Sequence, residues 1–193
     1  AVRLYTDQGV KIENNQVEKE ILDFLKERMK NILKEKKIKP DIVEAAISAH
    51  IGDNYLVLHK KSVVMNKNFN KGIGKDAIYS FKRVSSILIQ ESKKSIKELT
   101  GRPDAVLFRK DEEKLLFEKL NEIRKSFTIK EDRKDYEVIL TRLAAVKEST
   151  DNFFDKVIVN DENQDIKNNR LELMSMFCKT FNSYIDFSKL DGI

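Results

Sequence analysis

Apolar side chains in this chain return every third or fourth residue almost from one end to the other, and that period decides what it can fold into. Between Gln16 and Lys37 they stand at Val17, Ile21, Phe24 and Leu25, at the turn of Arg28 and Met29, and at Ile32 and Leu33, lining one face of a long helix. Lys39-Pro40-Asp41 stops that helix, and a short second one is expected over Ile42 to Ala49. Gly52-Asp53-Asn54 breaks the chain again. Tyr55 to Asn68 is helical with a less regular stripe (Leu56, Val63, Val64), and Asn70 to Gly74 reads as a loop. Lys75 to Lys97 follows as a strong helix with Ala77, Phe81, Val84, Ile87 and Leu88 on one side and Lys82 and Arg83 beside them.

Thr100-Gly101-Arg102-Pro103-Asp104 is the clearest punctuation and marks a joint. Beyond it, Asp111-Glu112-Glu113 sets three acids in the first turn of a helix, favourable to its dipole, ahead of Leu115, Leu116, Leu120 and Ile123. Residues 131–148 form the next helix, and Ser149-Thr150-Asp151 is expected to cap a short one carrying Phe153, Phe154 and Val157. The last segment, Gln164 to Asp186, brings Ile166, Arg170, Leu173, Phe177, Phe181 and Tyr184 round on successive turns. No alternating strand pattern occurs. The predicted fold is all-α, a bundle of about eight helices. Its expected division is 1–16 as the frayed end of a preceding domain, 17–100 as a basic helical subdomain, and 101–193 as a C-terminal helical subdomain packed with it.

With 193 residues the chain is long enough to bury a substantial core, and six Gly and two Pro suit helices better than a turn-rich sandwich. One Cys excludes an internal disulfide framework and a Cys-rich zinc site. No apolar run approaches the roughly 20 residues of a membrane span, and Ala-Val-Arg-Leu-Tyr-Thr-Asp is not a signal peptide. A soluble, cytoplasmic protein with no membrane partner is expected. A start on Ala rather than Met is what an excised piece of something larger would show.

The net charge is +5, but its distribution says more. Between His59 and Lys97 stand ten basic residues and two acids, Asp76 and Glu91, a net of +8. Residues 150–193 hold five basic residues against eight acidic ones. A basic stretch within an acidic frame is what a polyanion-binding surface requires, because each neutralised phosphate releases condensed counterions. A lysine-rich solvated surface is the alternative.

Catalytic groups are sparse. His50 and His59 have no ligand-type residue at a recognised metal spacing, so no metal site is expected. Cys178, between Phe177 and Phe181 on a helix, reads as an inert buried thiol. Gly72-Ile73-Gly74-Lys75 lacks the spacing of a phosphate loop, and Asp76 stands where Ser or Thr belongs. Asp151 and Asp155, one turn apart, read as dipole partners near a helix start rather than a cation site. No catalytic residue is assigned.

The run Phe153-Phe154-Asp155-Lys156-Val157-Ile158-Val159, then Asn168-Asn169-Arg170-Leu171-Glu172-Leu173, closed by Tyr184-Ile185-Asp186-Phe187-Ser188-Lys189-Leu190, resembles the end of bacterial glycyl-tRNA synthetase β subunits. Upstream, Phe24-Leu25-Lys26-Glu27-Arg28 and Phe81-Lys82-Arg83-Val84-Ser85-Ser86-Ile87-Leu88 are similar to two helices of that family, so the resemblance spans roughly residues 17–190. The terminal module is similar to the all-α DALR anticodon-binding domain, also found in arginyl-tRNA synthetases. Gln164-Asp165-Ile166-Lys167 stands in place of the name-giving tetrapeptide, and its Lys keeps the charge of Arg without the planar fork. Ser86 stands where that family has Asn.

What the resemblance implies is an anticodon-binding unit for tRNA-Gly, itself noncatalytic, within a ligase of two α and two β chains. The piece would carry no cofactor, with ATP used on the α subunit. For the RNA backbone the expected contacts are Lys82 and Arg83, with Lys93 and Lys94 next; the alternative for Arg83 is an acid on a neighbouring helix. For the anticodon loop they are Lys156, Lys167, Asn169 and Arg170. Arg170 lies in the inward stripe, where bonding to Asp155 or to helix carbonyls is the alternative. Phe153 and Phe154 read as core rather than stacking platforms. The competing readings are a helical protein-interaction or scaffold domain and the tail of an arginyl-type synthetase.

Overall fold

The computed structural model of the protein describes residues 17–49, 54–92, 99–130 and 134–191. Seven α-helices and two single 3-10 turns make up its regular structure, with no strand among the described residues. The helices are α1 (Val17–Glu35), α2 (Pro40–Ser48), α3 (Tyr55–Asn68), α4 (Gly72–Ser92), α5 (Asp111–Thr128), α6 (Tyr136–Lys156) and α7 (Gln164–Asn182). The 3-10 turns span Ala105–Leu107 and Phe187–Lys189.

α4 runs through the middle, packed on α6 and α7, while α5 lies across the other side of the same pair. The α4 positions that carry the apolar period, Ala77, Phe81 and Val84, are all buried. Around Phe81 the chain gathers an aromatic cluster. Its ring lies 6.0 Å from Phe181 and 5.5 Å from Phe187, and Phe177 stacks on Phe181 at 4.3 Å. Aromatic pairs of this kind add to the burial of their large apolar areas. Asp186 seats the chain end: its side chain accepts from the Ser188 amide, and its own N–H donates to the Ala45 carbonyl of α2. Phe187 is thereby held in the core.

Three local expectations change. The expected loop at 70–74 is shorter, because Gly72, Ile73 and Gly74 already form the first turn of α4. A Cβ at residue 74 would collide with the Asn68 carbonyl at the end of α3, and glycine permits that approach. The expected break at Ser149-Thr150-Asp151 is absent. Thr150 donates back to the Val146 carbonyl, Asp151 faces α4, and α6 runs unbroken to Lys156. The last helix ends at Asn182 rather than Asp186.

α3 owes its irregular stripe to polar groups that face inward. Ser62 and Asn68 are buried beside Leu58 and Met65, and each donates to the carbonyl four residues back. α1 differs in another way. Leu33 is buried, but Ile21, Phe24 and Leu25 lie exposed, and the N-terminal half of the helix meets α3 through the Tyr55 hydroxyl, which donates to the Leu22 carbonyl at 3.2 Å.

Candidate functional site

The residues singled out in α7 sit where that helix is buried on every side: Asn169 to Phe177, about two and a half turns, are all buried. Arg170 has 4% of its side chain exposed, and its guanidinium faces protein throughout. Nε donates to Glu113 Oε1 at 2.9 Å, while Nη1 donates to the Ile158 carbonyl at 2.8 Å and to Asp161 Oδ2 at 2.7 Å. Glu113, with no exposed surface, also accepts the amides of Arg109 and Lys110 on its second oxygen, closing the N-terminus of α5. The Asn163 amide, together with Arg170, holds the Asp161 carboxyl below its ordinary range. The partners of Arg170 are therefore Glu113, Asp161 and one carbonyl, with Asp155 not among them.

One residue earlier, Asn169 is buried and pairs reciprocally with the main chain of Asp104: its Oδ1 accepts from the Asp104 amide at 2.6 Å and its Nδ2 donates to the Asp104 carbonyl at 2.9 Å. Two residues on, Glu172 accepts from three successive amides, Thr100, Gly101 and Arg102, and from the Thr100 hydroxyl. Burial pushes the Glu172 carboxyl upward, but these four donors outweigh it and hold the group below its usual range. Lys179 donates to the Leu99 and Thr100 carbonyls. Gly101 sits at φ +71 against Met176 of α7, a conformation side chains rarely adopt. The joint at 100–104 is thus strapped along α7 by Asn169, Glu172 and Lys179.

The other expected contacts divide. Arg83 reaches α6, with Nη1 2.6 Å from Asp151 Oδ1 and its guanidinium 4.7 Å from the Phe154 ring centre. Lys147 takes the other oxygen of Asp151 at 2.5 Å. Lys167 pairs with Glu91 at 3.3 Å in a largely buried contact between α7 and α4. Lys156 is exposed and meets Glu112 at 2.8 Å, a surface pair that competes weakly with other anions. Lys82 is exposed, with no carboxylate partner among the described residues. Lys93 and Lys94 lie outside the described residues, as does His50. Phe153 is buried and Phe154 partly so.

Two features emerge that the sequence reading did not name. Lys71, Lys75 and Tyr79 share the outer face of α4 with Lys82, and the period that turns Ala77 and Phe81 inward turns these outward. Beside α7 lies a cleft of about 550 Å³ whose lining includes Lys61, Lys134, Lys179 and Tyr136. Lys61 there donates to the Ser183 carbonyl. The chemistry of the remaining groups is plain. Among the described residues no cluster of three His, Cys, Asp or Glu is placed to hold a metal, and no helix is long and apolar enough to cross a membrane. Burial pushes the Cys178 thiol up to about 12, which keeps it protonated and unreactive.

A helical bundle that carries a row of exposed lysines along one helix, α4, has the basic stripe of a nucleic-acid-binding surface. The chain belongs to the DALR anticodon binding domain family, whose model matches residues 77–187. Along nearly its whole length it is also similar to glycine–tRNA ligase beta subunits. That of Sulfurihydrogenibium sp. (strain YO3AOP1) is 32% identical over 196 residues, covering 99% of this chain and 27% of the relative. Those of Clostridioides difficile (strain 630) and Bacillus subtilis (strain 168) are 30% and 31% identical, over 92% and 90% of this chain and 25% and 24% of the relatives. The chain spans about a quarter of the length of the curated relatives it matches.

Proposed function

We propose that this chain is the anticodon-arm-binding part of a glycine–tRNA ligase β subunit and takes no bond-making step itself. The observation that carries this reading is the coincidence of the anticodon-binding family match at 77–187 with similarity to β subunits over nine-tenths or more of the chain. Its place is the cytoplasm, in an α2β2 assembly whose α subunit uses ATP and glycine, and its nucleic-acid partner is tRNA-Gly.

Within this reading the expected contacts take different tasks. Lys82 and Lys156 are exposed and meet phosphates, the sequence-independent part of binding. Arg83, Lys167, Asn169 and Arg170 hold α4, α5, α6 and α7 and the 100–104 joint in register beneath that surface. The packed scaffold keeps the surface cations at fixed spacing, so less entropy is lost on binding than with a flexible tail.

Recognition of an anticodon predicts discrimination. The chain is titrated with a tRNA-Gly transcript and with the same transcript carrying another anticodon, at one salt concentration. The expected result is about tenfold or more weaker binding of the altered transcript, as loss of base contacts implies. Equal affinity for the two would remove anticodon recognition from this chain.

A further inference from the structure

Lys71, Lys75, Tyr79, Lys82 and Ser86 all lie on the solvent side of α4, at or just before its start and then along a single line spaced by three or four residues. Lys75 and Lys82 stand seven residues apart, about 10 Å along the axis, and Tyr79 lies between them. Tyr79 is 52% exposed, which leaves its ring open to a partner. The Nζ of Lys147 on α6 lies over the ring, 5.2 Å from its centre, and covers one of its two faces. Lys71, Lys75 and Lys82 have no carboxylate partner among the described residues. Of the acids nearby, Asp151 is paired with Arg83 and Lys147, Asp155 lies 4.0 Å from Arg83, and Asp76 of α4 acts on Lys147. The cleft beside α7 offers less, since Lys61 and Lys179 there already donate to main-chain carbonyls.

We infer that the outer face of α4 grips a single-stranded RNA loop: Lys71, Lys75 and Lys82 neutralise its phosphates, and the face of the Tyr79 ring opposite Lys147 stacks on an unpaired base. This rests on the tRNA reading above and adds the surface and the stacking residue. The pattern of cations interleaved with an exposed aromatic fits single-stranded nucleic acid, in which every base offers a face to a ring and every phosphate a charge to a lysine. A protein partner of ordinary composition would instead leave three lysines facing its surface unpaired.

The chain contains no Trp, so Tyr79→Trp creates a sole indole reporter at this position. The probe is the anticodon stem-loop of tRNA-Gly, titrated into the 193-residue chain. The expected results are quenching of the Tyr79→Trp emission with affinity retained, retained affinity for Tyr79→Phe, and about tenfold weaker binding for Tyr79→Ala. Lys75→Gln with Lys82→Gln weakens binding about tenfold at low salt, whereas Lys114→Gln, an exposed lysine of α5, leaves it unchanged. All these side chains are exposed, and an unchanged thermal midpoint verifies the fold. If the unmodified chain binds the stem-loop but the Ala and Gln variants bind equally well and the indole is not quenched, the α4 face is wrong and the tRNA reading stands. If the unmodified chain binds neither the stem-loop nor intact tRNA-Gly, both fall. If Tyr79→Ala weakens only association with the ligase α subunit, the face is a protein interface and the inference is overturned.

Discussion

Removing the guanidinium of Arg170 strands Glu113, a carboxylate with no exposed surface, and frees the carbonyl of Ile158. An uncompensated buried charge is costly, so Arg170→Met is expected to lower stability by about 3–5 kcal/mol in chemical denaturation, and Glu113→Gln beside it recovers part of the loss. Glu172 gives a pH-dependent counterpart. Its carboxyl is held below its unfolded value, so its stabilisation is fully present above the ordinary carboxylate range and is lost as pH falls through the depressed folded value. Glu172→Gln is expected to cost about 1–2 kcal/mol near neutrality, and the gap between it and the unmodified chain closes in acid; denaturation curves across pH measure it. Asn169, Arg170 and Glu172 were recognisable in the sequence as a motif, but their task was not. The fully buried partner of Arg170, Glu113, lies 57 residues away and the amides that Glu172 accepts about 70, and no local spacing encodes such a meeting.

Helices were legible wherever apolar residues kept the period, and less so where polar residues imitate an end. Ser149-Thr150-Asp151 has the composition of a cap, yet Thr150 bonds within its own helix and Asp151 answers Arg83 on α4, so α6 continues. The reverse holds at 72–74, where two glycines imitate a loop but serve close approach to Asn68. The end of α1 offers a test. Ile38 donates to Leu33 and Lys37 to Lys34, with Lys37 at φ 57, an arrangement that favours glycine at that position. Lys37→Gly is expected to raise stability by about 0.5–1 kcal/mol, read as a higher denaturation midpoint at unchanged slope. A loss of stability would mean the Lys37 side chain contributes more than its backbone costs.

Across the whole molecule one hydrophobic core joins residues on both sides of the 100–104 joint, with Phe81 of α4 set against Phe181 of α7 and Phe187. The all-α class was readable from period and composition, and the basic stretch from charge. Which cations remain outside was not readable, because pairing depends on how α4, α6 and α7 meet. Arg83 and Lys167 are engaged with acids across those contacts, and Lys71, Lys75 and Lys82 are left facing solvent. The central claim is that phosphates are held by lysines on a rigid helical scaffold. The most direct test is the affinity of the chain for tRNA-Gly measured across a series of salt concentrations. Three phosphate contacts predict that log K falls linearly with log salt at a slope of about −2 or steeper. An affinity that does not change with salt would contradict it.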